Sequence, residues 1–509
     1  MSNLLLPLIP AVALLLLVGW RRVKQKNIPL PPGPKSHVFI GNLFEMPKED
    51  DPMVYSRWQK TYGDMIYVNV LGKDFLIINS LKIAADLLEK RSSIYSGRNY
   101  FTFGGELCGH DRSTALAEGS AHREMRKFGH RSMNSTSIKQ WQWLQEAEAR
   151  KTLKQLLHKP ENWNELFHLN AGSSIMRIVY GYELAPENDP LLRHANMVME
   201  DFSQACAPGR WIVDVLPFLK HVPEWMPGAG FQKIAKKWWL DVDRMYRAPF
   251  ELVKQRMAAG IALPSITAQL LEVKKEQSDE EHMISAMGAL YAGGVDTTPA
   301  ALGSFMMVMI LYPDVQKKAQ AELDAIVGPD RLPGFIDQAN LPYVNALIKE
   351  ILRWAPSVPM GLPHRLIQDD EYNGYRIPKD TILLTNIWHM NRDSATYPDA
   401  PDCFRPDRFL GPDPAPHGFS TSNTQEFGSP AFGFGRRVCP GEHFAFPSLF
   451  ILCASILATM DISPAMDAAG NPILPQVQFS SGVIAHPKPF RCNITPRSHK
   501  AVDLINVSG

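Results

Sequence analysis

The spacing of hydrophobic and polar positions predicts a mainly helical chain. From about residue 120 to 311 apolar residues recur at helical intervals, and the pattern breaks at prolines near residues 160, 186–190, 208 and 223–230. The segment 278–313 is the longest predicted helix. It is apolar around nearly its whole circumference, so we expect it to run through the middle of the protein. Further helices are predicted over 313–327, over 341–355 and, as the last helix, after Cys439.

Strands account for a smaller part of the pattern. Alternation over residues 65–70 and 75–79, on either side of Gly72 and Lys73, predicts a β-hairpin. Short strands are predicted over 371–377 and 381–387, and a proline-rich coil over 398–430. No linker rich in Pro, Gly and Ser divides the body, which predicts a single large domain, mainly α with minor β.

The first 20 residues have a different character. They contain no charged side chain, residues 4–20 are almost wholly apolar, and basic residues follow at Arg21, Arg22, Lys24 and Lys26. Basic residues directly after an apolar segment favour a cytosolic location for that side, and no small-residue cleavage site is present. We therefore predict a membrane anchor at 1–20, a basic and proline-rich hinge at 21–34 and a cytosolic domain at 35–509. A buried core helix is the alternative for the apolar segment.

Composition excludes several classes of protein. Lys and Arg number 53 against 52 Asp and Glu, so a net charge of +1 gives no electrostatic basis for binding nucleic acid. A 45% hydrophobic fraction argues against a largely disordered chain. The six cysteines include no CxxC pair, which disfavours a zinc knuckle or a disulfide framework and favours free thiols in a reducing compartment.

The segment 432–441, FGFGRRVCPG, carries the most specific chemistry. Its glycines allow the backbone to approach a flat, bulky group. Pro440 suits the first turn of a helix, so Cys439 is expected at a helix N-terminus, where the dipole and free N–H groups favour a thiolate. Such a thiolate can ligate haem iron. A buried, inert cysteine is the alternative.

This segment fits F-x-x-G-x-R-x-C-x-G and resembles the haem-binding loop of the cytochrome P450 family. The resemblance implies the cytochrome P450 fold, haem b as cofactor, Cys439 as the iron ligand, and Phe432 and Arg437 beside the haem. It also implies structural supports of the haem pocket at Glu350, Arg353 and Arg408. Solvated surface pairs are the alternative for these charged residues.

The long predicted helix contains the sequence AGGVDTTP at 292–299. Glycine costs about 1 kcal/mol and proline about 3 kcal/mol inside a helix, so we expect a local distortion with an opened turn. The segment is similar to the family's oxygen-activation motif. That similarity implies catalytic roles for Thr297, as a hydrogen-bond donor to dioxygen, and for Asp296, as a source of protons. A kinked structural helix with a buried Asp is the alternative.

The resemblance further implies contacts with the haem propionates. These cofactor-binding residues are Arg98, His122, Arg126, His364 and Arg437, with His122 standing where the family has Trp. Arginine forks and N–H donors suit carboxylates. Taken singly, each of these residues would be read as a surface charge.

Two surfaces have implied partners. The basic residues Arg123, Arg126, Lys127 and Arg131, joined by Arg436, correspond to the family's docking face for an acidic, flavin-containing NADPH–cytochrome P450 reductase, with cytochrome b5 as a second partner. A solvated helix face is the alternative. The aromatic segment 211–226 corresponds to a loop that dips into the endoplasmic reticulum membrane, with core packing as the alternative.

The sequence resembles fungal microsomal members that act in secondary metabolism. The implied reaction inserts one atom of O2 into a small, largely apolar terpenoid, polyketide or indole, with electrons from NADPH through the flavins of the partner reductase. Substrate contacts are expected at 100–115, 287–292, 358–362 and 482–483. The acidic side chains in this set keep a cationic amine as an alternative to an apolar substrate. The alternatives are an oxygen-independent haem-thiolate isomerase or dehydratase, against which Asp296 and Thr297 argue, and a non-catalytic haem-binding membrane protein.

Overall fold

The computed structural model describes seven stretches of the chain: residues 28–47, 51–98, 101–185, 188–207, 209–273, 279–410 and 429–507. The predicted anchor at 1–20 and the hinge up to residue 27 lie outside these stretches, as do residues 411–428 of the predicted proline-rich coil.

Helices dominate the described residues, as predicted. The α-helices are α1 (Asp51–Tyr62), α2 (Leu81–Ala84), α3 (Ser92–Tyr95), α4 (Gly119–Met133), α5 (Gln142–His158), α6 (Trp163–Tyr180), α7 (Pro190–Ala205), α8 (Ile212–Val215), α9 (Gly230–Ala258), α10 (Ile266–Glu272), α11 (Asp279–Leu311), α12 (Pro313–Ile326), α13 (Pro342–Trp354), α14 (Ile387–Met390), α15 (Glu442–Thr459) and α16 (His499–Val507).

The strands are short. They are β1 (Met65–Val70), β2 (Lys73–Ile78), β3 (Gly97–Arg98), β4 (His364–Arg365), β5 (Asp370–Tyr372), β6 (Tyr375–Ile377), β7 (Ile382–Thr385), β8 (Met460–Met466), β9 (Pro472–Ile473) and β10 (Cys492–Pro496). The largest sheet has the order β1-β2-β7-β4-β3, with β2 and β7 parallel and the other pairs antiparallel. The other sheets have the orders β10-β8-β9 and β5-β6.

The hairpin of β1 and β2 follows from its turn. Leu71 and Gly72 both have positive φ, 50° and 84°, which is the backbone of a two-residue turn whose twist matches that of the strands. Met65 pairs with Ile78, and the register then buries Ile66, Val68 and Ile77 on one face. The hairpin prediction is therefore confirmed.

The 33-residue helix α11 runs through the core, as its uniform hydrophobicity predicts. Leu302, Phe305 and Met306 on this helix have no exposed surface. Among the described residues, α11 from Glu280 onward and α15 are long and apolar enough to cross a membrane, but 78% and 72% of their apolar windows are buried inside the protein. Both are therefore core helices of this domain.

Two predictions of local structure are wrong. Residues 371–377 form two strands, β5 and β6, because Asn373 and Gly374 adopt positive φ and reverse the chain. The helix after Cys439 is followed by a further helix, α16, which buries Ala501 and Ile505. Its nine residues are too short for a strong periodic signal.

Candidate functional site

The cysteine loop consists of two 3-10 turns, Pro430–Phe432 and Gly435–Arg437, ahead of α15. The Cys439 N–H donates to the Phe432 carbonyl at 2.7 Å, which closes the loop on itself. Gly435 has a φ of 53°, and a Cβ there would collide with the carbonyl oxygen of Leu88. Only glycine fits this position, so the loop can pass directly beside the helical segment that contains Leu88.

Cys439 lies just before the N-terminus of α15, close to where the sequence placed it. The helix begins at Glu442, so Pro440 precedes the first turn instead of occupying it. The backbone N–H groups of Gly441 and Glu442 hydrogen-bond the sulfur, and the side chain remains accessible to a ligand. Burial nevertheless raises the pKa of the Cys439 thiol, so the expected lowering of this pKa is wrong for the protein alone. A bound metal cation is the partner that would stabilise the thiolate.

Strand pairing brings Arg98 and His364 together. They are partners in the antiparallel β3–β4 pair. The Arg98 guanidinium donates to the carbonyls of Ala115 at 2.7 Å and Leu362 at 2.8 Å, and the His364 ring hydrogen-bonds the Tyr95 carbonyl at 2.9 Å. Both side chains are buried and held in fixed positions.

Two further arginines connect this pair to the cysteine loop. Arg126 on α4 donates to the Val438 carbonyl at 2.6 Å, and Arg437 donates to the Ser96 carbonyl at 2.9 Å. Burial, together with the charges of Arg437, Arg126 and Arg98, lowers the pKa of the His122 imidazole, one helical turn before Arg126, to about 3. The structure thus brings these predicted cofactor contacts into one cluster, although they come from three separate parts of the chain.

This cluster has a surplus of positive charge. Burial, together with a neighbouring arginine in each case, lowers the pKa of Arg98 to about 9 and of Arg437 to about 10. The negative charge of Glu118 acts in the opposite direction and offsets part of this lowering for both arginines. The Arg437 Nη1 atom is buried with no hydrogen-bond partner among the described residues. A buried ligand with carboxylates would satisfy these donors, and haem b with its two propionates fits.

Glu350, Arg353 and Arg408 form the predicted acid–arginine–arginine cluster. The Glu350 carboxylate accepts from Arg353 at 2.6 and 2.8 Å and from Arg408 Nε at 3.1 Å. All three side chains are buried, which excludes the alternative of solvated surface pairs. The remaining arginine donors bind backbone carbonyls of the following coil, including that of Cys403, so the cluster fixes this coil against α13.

Asp296 and Thr297 lie on α11, which continues as an α-helix through Pro299. The expected opened turn is therefore wrong. Pro299 cannot donate to the Val295 carbonyl, and the His168 side chain hydrogen-bonds the backbone there. The Thr297 hydroxyl donates to the Gly293 carbonyl at 2.7 Å. A Cβ at Gly293 would meet no atom within 4 Å, so open space adjoins this turn of the helix.

Sequence reasoning missed the residues that contact Asp296. His486 Nε2 lies 2.8 Å from Asp296 Oδ1, and the His168 ring stacks on His486. The three residues come from α6, α11 and the C-terminal part of the chain, and no local pattern links them.

The predicted partner surfaces are only partly as expected. Arg123, Lys127, Arg131 and Arg436 are exposed, whereas Arg126 turns inward to the cysteine loop. In the segment 211–226, Trp211 stacks on Phe103 with ring centroids 3.6 Å apart, so this residue serves core packing. The same segment exposes Ile212, Phe218 and Trp225 by 63%, 65% and 79%, so the residues that the structure describes leave these three side chains largely uncovered.

Comparison with known proteins agrees with this geometry. A sequence model of the family described as Cytochrome P450 matches residues 31–494. The chain is 40% identical over 503 residues to cytochrome P450 monooxygenase claR of Ampulloclitocybe clavipes, covering 97% of this chain and 91% of that protein. It is 39% identical to cytochrome P450 monooxygenase 208 of Postia placenta, and the match covers 99% of this chain and 98% of that protein. It is 37% identical to cytochrome P450 monooxygenase CLM2 of Gibberella zeae, and that match covers 94% of this chain and 92% of the relative.

Proposed function

The chain belongs to the cytochrome P450 family and is a haem-thiolate monooxygenase, and we propose that it oxidises a small, uncharged, largely apolar secondary metabolite with electrons from a membrane-bound reductase. Haem b, when bound, supplies the iron at which O2 is reduced, so that one oxygen atom enters the substrate and the other leaves as water. Cys439 would ligate this iron. The buried cluster of Arg98, Arg126 and Arg437 would hold the propionates, and its unmatched positive charge is the observation that supports the assignment most directly.

The substrate proposal follows from the lining of the interior. Ala292, Val358 and Val483 come from three separate segments, yet all pack at the edge of the same apolar cluster. Apolar side chains that meet from three segments favour an apolar ligand beside them.

Two charged residues of the first substrate segment form ion pairs with other parts of the protein. Glu106 binds Lys220 at 2.8 Å, and Arg112 binds Asp243 at 2.8 Å. Burial raises the pKa of Asp111. Since Glu106 is already paired with a lysine, an uncharged terpenoid, polyketide or indole suits the site better than a cationic amine does.

Asp296 and Thr297 would manage protons in this reaction. The Thr297 hydroxyl donates to the Gly293 carbonyl, and its lone pairs stay available for a donor from the open space beside Gly293. Thr297 can therefore pass on a proton without leaving the helix. The Ser357 hydroxyl holds the Thr297 carbonyl at 3.1 Å and fixes this turn.

Electron supply and membrane attachment complete the proposal. The exposed cations Arg123, Lys127, Arg131 and Arg436 would steer the acidic face of NADPH–cytochrome P450 reductase or cytochrome b5. The exposed side chains Ile212, Phe218 and Trp225, together with an anchor at residues 4–20, would hold the enzyme at the endoplasmic reticulum with its catalytic domain in the cytosol.

Spectroscopy tests the proposal in two steps. The ferrous–CO form of the full-length protein should show the long-wavelength Soret band of a thiolate ligand, and Cys439→Ala should abolish it while Cys453→Ala, a buried control, keeps it. Substrate-difference spectra should then respond to uncharged terpenoids, polyketides or indoles. A response to amines alone would contradict the substrate proposal, and retention of the band in Cys439→Ala would contradict the ligand assignment.

A further inference from the structure

The carboxylate of Asp296 is held by a histidine from a distant part of the chain. His486 Nε2 lies 2.8 Å from Asp296 Oδ1, and the two side chains are 28% and 17% exposed. The backbone of His486 is itself fixed. Its carbonyl accepts from the Ser480 N–H at 2.7 Å, and its own N–H donates to the Ser480 hydroxyl at 3.0 Å. The fold therefore holds His486 in position to contact Asp296.

A second histidine supports the first. The rings of His168 and His486 stack with centroids 5.9 Å apart and an angle of 17° between their planes. His168 also hydrogen-bonds the backbone of Val295. The Val295 carbonyl lacks its usual helical partner because Pro299, four residues later, has no N–H group. Burial lowers the pKa of the His168 imidazole, and His486 lowers it further, whereas Asp296 raises it. His168 thus contacts both the His486 ring and the helix next to Asp296.

These residues line an open cleft. The cleft has a volume of about 1360 Å³, and its wall includes Asp296, Pro299 and Gly303 from α11, His168 from α6, and His486. Asp296, Pro299 and Gly303 stand at positions i, i+3 and i+7 and so share one face of α11. Gly293 and Thr297, at i and i+4, share another face about 100° around the helix. The side chain of Asp296 thus belongs to the cleft, whereas Thr297 belongs to the neighbouring face with the open space.

We propose that His486 carries protons from water in this cleft to Asp296 and that His168 is a positioning residue for both. Protonated His486 gives its Nε2 proton to Asp296 Oδ1, which leaves a neutral ring with its proton on Nδ1. Rotation of the Asp296 side chain then brings this proton to the Thr297 hydroxyl oxygen, which accepts it as the hydroxyl passes its own proton inward, so Asp296 is again a carboxylate. Water in the cleft returns a proton to Nε2, so one proton moves inward per cycle and no electrons are transferred. This inference rests on the proposed role of Asp296 and Thr297, to which it adds the source of the protons.

The first experiment measures the contact itself and does not depend on activity. The full-length, haem-loaded protein is treated with diethyl pyrocarbonate, and the modification rate of each histidine is read by peptide mass spectrometry. His486 should react several-fold faster in Asp296→Ala, because the carboxylate no longer covers Nε2. His158, which lines the same cleft away from Asp296, should react equally in both proteins. Equal rates for His486 in the two proteins would overturn the proposal.

The second experiment separates carrying a proton from holding a position. NADPH oxidation is measured with purified reductase and O2 in ordinary and heavy water for His486→Gln, His486→Phe and the control His158→Gln. Glutamine can keep a hydrogen bond to Asp296 but cannot act as an acid, so both His486 variants should be slower by about tenfold or more, with a larger solvent isotope effect. His158→Gln should match the wild type.

Wild-type rates in His486→Gln would show that His486 only holds Asp296 and would overturn the proton route. The ferrous–CO band is recorded for every variant. If that band is missing in the wild type, the proposed haem chemistry fails, whereas the modification experiment still reports on the contact between His486 and Asp296. The two failures are therefore distinguishable.

Discussion

The carboxylate of Glu350 accepts a hydrogen bond from Arg353 Nε at 2.6 Å, and the two residues expose 0% and 3% of their surface. An ion pair with so little access to water is stable only because every donor of the arginine has a partner, here the Glu350 carboxylate and three backbone carbonyls within residues 391–403. The pair therefore fixes this coil against α13.

We predict that Glu350→Gln destabilises the protein by roughly 3–5 kcal/mol, because two arginines would remain buried without a countercharge. Haem content per protein should fall along with the denaturant midpoint, both measured on the purified full-length protein. The control Asp324→Asn breaks the exposed pair of Asp324 with Arg497 and should cost less than about 1 kcal/mol. Equal stability of the two variants would contradict the importance of the buried cluster.

A second prediction concerns two adjacent arginines of the cysteine loop. Arg437 is partly buried and has an Nη1 atom without a partner among the described residues, whereas its neighbour Arg436 is exposed. Arg437→Gln should weaken haem binding by about tenfold or more, since a charged hydrogen bond to a propionate contributes about 1.5–3 kcal/mol. Arg436→Gln should leave haem affinity unchanged. Haem titration of the apoprotein measures both, and equal affinities would argue against a propionate contact at Arg437.

The sequence predicted local elements and motifs well because their causes are local. Alternation around Leu71 and Gly72 predicts the β1–β2 hairpin. Apolar residues around nearly the whole circumference of segment 278–313 predict α11. The cysteine loop was found because its motif lies within ten adjacent residues, although the close approach that requires glycine at 435 comes from the distant Leu88. For the hairpin and α11, the amino-acid type fits a requirement of its own segment.

Features that depend on distant contacts were not predicted. α11 stays regular at Pro299 because His168, more than 120 residues earlier, hydrogen-bonds the backbone at Val295. The pKa of the Cys439 thiol is raised because the surrounding protein atoms desolvate it, although the side chain stays accessible, and this outweighs the backbone hydrogen bonds from Gly441 and Glu442. The contact of His486 with Asp296 likewise has no signature in either segment.

A third prediction concerns Thr297. Its hydroxyl is already hydrogen-bonded to the Gly293 carbonyl, so Thr297→Ala removes a proton carrier without opening the helix. We expect the variant to divert reducing equivalents from product to peroxide, measured as peroxide formed per NADPH consumed. Thr297→Ser keeps the hydroxyl and should couple almost as well as the wild type. If Thr297→Ala were fully coupled, Thr297 would have no part in proton handling.

A fourth prediction concerns the docking of the reductase. Arg123→Glu combined with Lys127→Glu reverses two exposed charges on α4 and should raise the reductase concentration needed for half-maximal NADPH oxidation several-fold at low salt. The difference should shrink as salt screens the interaction. The exposed Arg57 on α1 provides a control, and Arg57→Glu should bind the reductase normally. A salt-independent defect would point to misfolding of α4 and would contradict electrostatic docking.

The last prediction concerns attachment to the membrane. Phe218 and Trp225 expose 65% and 79% of their surface, although aromatic side chains of this size are normally covered in a domain that meets only water. Insertion of each ring into the apolar boundary of a bilayer would contribute roughly 1.5–3 kcal/mol. A protein lacking residues 1–26 should therefore retain residual binding to phosphatidylcholine vesicles in a flotation assay. The further changes Phe218→Ser and Trp225→Ser should abolish this binding, whereas Trp143→Ser, which alters a ring 58% exposed on α5, should not. Vesicle binding that survives both changes at Phe218 and Trp225 would place the contact elsewhere, and complete loss on removing residues 1–26 alone would assign attachment to the N-terminal segment.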